Sequence, residues 1–346
     1  MIFYQQVLNL QKKQIMHIEK AIQNIQNVGF LDINISKNID LVAEINRLRK
    51  EKNVVILAHY YQVAEIQDIA DFVGDSLALA QRAAETKADI ILFAGVHFMA
   101  ETAKILNPDK KVLLPDLLAG CSLAESAPKN EFEAFKQKHP NHVVVSYVNT
   151  SAEIKALTDI VCTSSNAEKI INSIPKDKEI IFAPDRNLGA YLIQKTGREM
   201  LLWDGACTVH EEFSLDKIKQ LQKEYPNAKF IAHPESKASI LAMADYIGST
   251  SGLLNFVQNC EAKEFIIATE SGILHKMAQI APDKVLIPAP PVNDDAACAC
   301  TECPYMKRNT LEKIYLALKY EMPEVNVEKE LAKKALVSIQ RMLDLS

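Results

Sequence analysis

At 346 residues, 48% of them apolar, the chain is long enough for two or three domains with sizeable cores. Its net charge of −5, with lysines scattered along the chain, offers no basic field for nucleic acid, and no uncharged apolar run reaches the roughly 18 residues of a membrane span. Seven cysteines, an odd number with no signal-peptide pattern at the N-terminus, speak against a disulfide framework and predict reduced thiols in the cytoplasm, available for metal or catalytic work.

Residues 1–37 are rich in Gln, Asn and Lys, with helix-like apolar spacing around Ile15 to Ile25, and read as a peripheral extension. From there a weak pattern of about 86 to 96 residues runs three times, predicting units over 38–124, 125–210 and 211–303. Each unit opens with a helical stretch, through Leu41, Ile45 and Leu48, then Phe132 and Phe135, then Ile218 and Leu221. A strand-like apolar run follows at 54–59, 143–147 and 229–233. After a further helical stretch comes an Asp with a hydroxyl residue five positions on: Asp71 and Ser76, Asp159 and Ser164, Asp245 and Thr250. Two more apolar runs complete each unit, at 90–94 and 112–115, 180–183 and 201–203, 265–268 and 285–288. Each unit then ends on a cysteine: Cys121, Cys207 and Cys303. The remainder, 304–346, carries two helical stretches over 310–320 and 327–345, expected to pack back on the first unit.

Short strands alternating with helices call for parallel sheets covered on both faces. The predicted fold is therefore α/β: three pseudosymmetric three-layer α/β/α domains with parallel sheets. Ligands of such sheets sit outside the carboxyl ends of the strands, so the loops after the strands should face a common centre. Those loops hold His59 and Tyr61, Tyr147 and Asn149, and His233 and Glu235.

Three thiols from three units suit one metal centre. An iron–sulfur cluster with three cysteine ligands leaves one iron open, whereas a structural zinc wants a fourth ligand, for which His210 is available. Cys298, Cys300 and Cys303 form a dense run whose spacing differs from the common ferredoxin pattern. Cys162 and Cys260 lie at apolar positions and read as buried core thiols. Ser76, Ser164 and Thr250 stand where a strand passes into a helix, either as ordinary N-caps or as an anion-binding set. His59, His233 and Glu235 can move protons near neutral pH, Tyr61 and Tyr147 are candidate phenolic donors, and Asp75 can equally be a solvated turn residue.

Taken together, these segments resemble the quinolinate synthase family of iron–sulfur enzymes. The resemblance spans about 39–345 and rests on Ala58-His59-Tyr60-Tyr61-Gln62, Gly74-Asp75-Ser76, Tyr147-Val148-Asn149-Thr150-Ser151, Ala183-Pro184-Asp185, Gly205-Ala206-Cys207, His233-Pro234-Glu235 and Cys303-Pro304-Tyr305-Met306. It implies three domains around a four-iron, four-sulfur (4Fe-4S) cluster held by Cys121, Cys207 and Cys303. It implies condensation of iminosuccinate (iminoaspartate) with dihydroxyacetone phosphate in NAD biosynthesis, with possible handover from L-aspartate oxidase. The implied substrate contacts are His59, Ser76, Tyr147, Val148, Asn149, Ser164, His233, Pro234, Glu235 and Thr250. Catalysis would rest on Glu235, His233, Tyr61, Tyr147 and His59. Family members with Cys-x-x-Cys-x-x-Cys before the proline differ from the Cys298-x-Cys300-x-x-Cys303 spacing here, so a disulfide between the two upstream cysteines is not carried over. A zinc-dependent aldolase or hydrolase using Cys207, His210 and Cys303, and a non-enzymatic iron–sulfur sensor, are the rival readings.

Overall fold

The strands form where the sequence offers runs of Val, Ile, Leu and Phe too apolar to leave any face in water. In the computed structural model, which describes residues 16, 18–293 and 301–346, there are twelve strands in three sheets. The first sheet contains β1 (Val54–His59), β2 (Phe72–Gly74), β3 (Ile90–Ala94) and β4 (Lys111–Leu113). The second contains β5 (Val143–Tyr147), β6 (Ile160–Cys162), β7 (Ile180–Ala183) and β8 (Leu201–Leu202). The third contains β9 (Lys229–Ala232), β10 (Tyr246–Ile247), β11 (Glu264–Ala268) and β12 (Val285–Pro288). All pairings are parallel, and the order is the same three times: β2-β1-β3-β4, β6-β5-β7-β8 and β10-β9-β11-β12. The central strands β1, β3 and β7 are buried along their whole length, as sheets with helices on both faces require.

The recurring Asp has a structural role at the far end of each sheet from the site. Asp71 Oδ2 accepts from Ile56 N–H at 2.8 Å, Asp159 Oδ2 from Val144 at 2.8 Å, and Asp245 Oδ2 from Phe230 at 2.8 Å. Each Asp N–H donates back to the carbonyl of the same residue, at 2.9, 3.0 and 2.7 Å. This two-way bond locks the start of each edge strand to its neighbour, so the hydroxyl residue five positions on emerges at a fixed place.

One core spans the facing sides of the first two sheets, joining Leu57, Ile91 and Phe93 with Val145, Val161 and Phe182. The outer face of the first sheet is covered by the helix over 18–28 and by helices Leu41–Glu51 and Leu311–Tyr320. The two C-terminal helices therefore part company. Helix Leu311–Tyr320 packs on the first unit, whereas helix Lys329–Asp344 lies mainly on helix Ala152–Leu157 and β6 of the second, touching helix His97–Leu106 of the first. Its buried face of Ala335, Ser338, Ile339 and Met342 fills the seam between the two units, where Ser338 Oγ donates to the Lys155 carbonyl at 2.8 Å. Cys162 is buried in this core, whereas Cys260, at the end of helix Thr250–Asn259, is only partly covered.

Removing one Asp lock should cost stability without touching the site. Asp159→Ala leaves the Val144 N–H without its acceptor and is expected to lower stability by about 1–3 kcal/mol, with Asp159→Asn costing less. The denaturant midpoint of the two variants checks this.

Candidate active site

The strand order dictates where a site can form. In each sheet the chain leaves the first strand to one side and returns on the other, opening a crevice beyond the carboxyl ends of the two central strands. His59 ends β1, Tyr147 ends β5, and His233 directly follows β9, where its N–H bonds the last carbonyl of β11 at 3.0 Å. The three crevices meet in one cavity lined from all three units. Its wall includes His59, Tyr61, Ser76, Tyr147, Asn149, Ser164, His233, Glu235 and Thr250 together with Cys121, Cys207 and Cys303. Val148 and Pro234 do not line it, and Val148 is instead held in the core between the first two sheets. Cys298 and Cys300 lie outside the described residues.

The cysteine loops are anchored alike. His97 N–H donates to Ala119 O at 2.7 Å, Arg186 to Gly205 O at 2.8 Å, and Ser271 to Thr301 O at 3.3 Å. In each case the acceptor stands two residues before the cysteine. Gly205 has no room for a side chain, because a Cβ would run into Ser126 Oγ and the Pro184 carbonyl. Each thiol then sits at the start of a helical turn, where backbone N–H groups two or three residues on pull its pKa down: Leu123 and Ala124 for Cys121, His210 for Cys207, Tyr305 and Met306 for Cys303. Burial pushes all three thiols up, Cys121 to about 12, against the pull of those N–H groups. Such thiols ionise when a metal supplies the missing positive charge, and the N–H cradles favour the anionic sulfur of a metal centre.

The hydroxyls are not the helix caps. Asp75 caps helix Ser76–Glu85 through Ala78 N–H at 3.0 Å, and Ser249 caps helix Thr250–Asn259 through Gly252 N–H at 3.1 Å. In the second unit Asn166 Oδ1 accepts from Thr163 N–H at 2.7 Å and closes the turn around Ser164. A neighbour caps the helix in the first and third units, and Ser76, Ser164 and Thr250 all stand on the cavity wall beside helix or turn N–H groups.

The histidines are set as neutral donors. The N–H of Tyr61 points at His59 Nδ1 at 3.1 Å, and the N–H of Glu235 points at His233 Nδ1 at 3.4 Å. An Nδ1 that accepts leaves the proton on Nε2, and His233 Nε2 meets Ser164 Oγ at 3.2 Å. Burial lowers His59 to about 4 and His233 to about 3, with the Glu235 carboxylate opposing. Glu235 behaves in the opposite sense. Burial alone would raise it, but His210 and His233 beside it and a Tyr147 hydrogen bond hold it below the ordinary carboxylate range. Its Oε2 lies 2.8 Å from His210 Nδ1 and 3.8 Å from His233 Nδ1, while Oε1 is buried with no partner. Burial pushes the Tyr61 and Tyr147 phenols well up, so both stay protonated. The cavity thus sets Glu235, an ionised base with an unpartnered oxygen, among neutral N–H and O–H donors.

The sequence reading offered His210 only as a candidate zinc ligand and passed over Thr269 and Glu270. His210 Nε2 lies 3.1 Å from Thr269 Oγ1, which lies 2.7 Å from Tyr61 OH, so a chain of contacts joins Tyr61 of the first unit to Glu235 of the third. Glu270 is buried, accepts from the Cys303 N–H at 3.0 Å and pairs with Lys307 at 2.9 Å, which fixes the third thiol's loop. Asp185 is its counterpart, also buried and two residues past the final Ala of a central strand, and burial followed by the Glu235 charge raises it. Aligning the three repeats at those Ala residues exposes this pair of carboxylates.

These ionisations fix a pH dependence. Because folded His59 and His233 sit below the usual 6.5 of an unfolded histidine, the metal-free protein should lose stability as pH falls from about 6.5 toward about 4, each histidine adding up to about 1.4 kcal/mol per pH unit. Glu235, held low, contributes stability above its unfolded value that is lost only at more acid pH. The slope of melting temperature against pH should flatten in His59→Gln.

Comparison with known proteins gives the family of the chain. A family model described as Quinolinate synthetase A protein matches residues 43–344. A quinolinate synthase from Nostoc punctiforme is 60% identical over 308 residues, covering 89% of this chain and 94% of the relative. One from Microcystis aeruginosa is 60% identical over 307 residues, at 89% and 95% coverage, and one from Synechocystis sp. is 59% identical over 307, at 89% and 96%. With a family match over most of its length and relatives this similar end to end, the chain belongs to the quinolinate synthetase A family, and its activity is the quinolinate synthase step of NAD biosynthesis.

Proposed function

We propose that the cavity condenses iminosuccinate with dihydroxyacetone phosphate to quinolinate, releasing phosphate and water, beside a four-iron, four-sulfur cluster held by Cys121, Cys207 and Cys303. The observation that carries this reading is the meeting, in one cavity, of three thiols with the ionised Glu235, whose Oε1 has no partner, and the hydroxyls of Ser76, Ser164 and Thr250. When bound, a cluster with three cysteine ligands supplies an open iron as a Lewis acid for a hydroxyl or carboxylate oxygen.

The protein's own groups do the rest. Both substrates are anions, and the hydroxyls of Ser76, Ser164 and Thr250 and the amide N–H2 of Asn149 present donors for carboxylate and phosphate oxygens. Glu235, ionised and with Oε1 free, is the proton acceptor. His59 and His233 serve as Nε2–H donors, and Tyr61 and Tyr147 as phenolic donors during dehydration. Iminosuccinate is an imine open to hydrolysis, so transient handover from an L-aspartate oxidase in the cytoplasm would limit its exposure to water.

A second reading is kept alive by one observation. Donor atoms of Cys207, His210 and Glu235 lie within 4.8 Å of one another, a group that suits zinc. Metal and sulfide analysis separates the two: about four iron and four sulfide per chain is expected, whereas one zinc without sulfide contradicts the cluster. In the loaded protein, Glu235→Gln should leave the visible absorption unchanged and lower kcat by about 10²–10⁴. Near-normal turnover would remove Glu235 as the base.

A further inference from the structure

Asp75 does more than cap a helix. It is buried, at 7% exposure, and while Oδ1 accepts the Ala78 N–H, Oδ2 accepts Ser165 Oγ at 2.9 Å and Ser251 Oγ at 2.6 Å. The three bonds come from three different units. Each partner also adjoins a cavity hydroxyl in sequence: Asp75 precedes Ser76, Ser165 follows Ser164, and Ser251 follows Thr250. A helix cap alone would use one oxygen and leave the other to water, whereas here both are committed.

We propose that Asp75 is a positioning residue that clamps the three hydroxyl turns together, so that Ser76, Ser164 and Thr250 meet a substrate as one set. Hydrogen bonds to an ionised acceptor are stronger than neutral ones, and a buried hydroxyl that loses its acceptor is costly. The clamp also explains how a carboxylate stands beside an anion site. Both of its oxygens are engaged, Oδ1 by a backbone N–H and Oδ2 by two hydroxyls. No single unit can build this arrangement, since the acceptor and its two hydroxyl donors are 90 and 176 residues apart in the chain.

The proposal rests on reading the cavity as the site of quinolinate formation, and two measurements on the cluster-loaded protein keep the two ideas apart. The first is hydrogen exchange in Asp75→Ser, which retains a capping oxygen on a side chain too short to reach the other two units. Exchange is expected to rise about tenfold at 163–165 and 250–252, turns to which Asp75 does not belong. Exchange that changes only at the start of the Ser76 helix would reduce Asp75 to a cap and overturn the clamp. The second is quinolinate affinity by calorimetry. Ser251, which does not line the cavity, should still matter: Ser251→Ala is expected to weaken binding about tenfold, and Ser251→Thr to restore it. Equal affinity in wild type and Ser251→Ala would overturn the clamp, whereas failure of the wild type to bind quinolinate would count against the functional reading and leave exchange to decide the clamp.

Discussion

A parallel sheet in which the second strand lies to one side of the first and the third to the other must open a crevice at the carboxyl ends of its two central strands. This protein makes that turn three times, with the same strand order in each sheet. Because the three crevices share one cavity, residues at equivalent places in the repeats become neighbours in space. The first strand of each unit delivers His59, Tyr147 or His233, the edge strand delivers a hydroxyl, and the last strand delivers a thiol. None of the units holds enough of these groups to be a site by itself.

Charge inside the cavity follows from burial. Water is kept from His59, His233, Tyr61 and Tyr147, so all four rest neutral and protonated where they can donate. Glu235 is held low against its burial chiefly by the His210 and His233 imidazoles beside it. Nearby, Asp185 is driven the other way by the same burial and by Glu235 itself. The two acids are thus pushed in opposite directions by their surroundings. The thiols, raised by burial yet cradled by N–H groups, await a cation to settle as anions.

Much of this was legible in the chain. The strands of all three sheets read as apolar runs because helices cover both faces, and the Asp-to-hydroxyl spacing survived because a two-way bond to the neighbouring strand fixes it. Cys121, Cys207 and Cys303 stood out because each closes a repeat. What the sequence hid were contacts that cross between units. His210 has Ala124 and Met306 at the matching places after Cys121 and Cys303, so the repeat gives it no signal. Asp75 read as a turn residue because its hydroxyl partners are far away in the chain. The last helix shows the same limit: its apolar face was visible, but nothing local said that it would fill the seam with the second unit. Val148 and Pro234 each adjoin a cavity residue in the chain without lining the cavity themselves.

The central claim is that three thiols and one ionised carboxylate form a single iron-dependent site. It is tested most directly by quinolinate formation from iminosuccinate and dihydroxyacetone phosphate under anaerobic conditions, with the loaded protein beside a sample stripped of iron. The account predicts product from the first and none from the second. Absence of product from protein carrying its full iron and sulfide would contradict it.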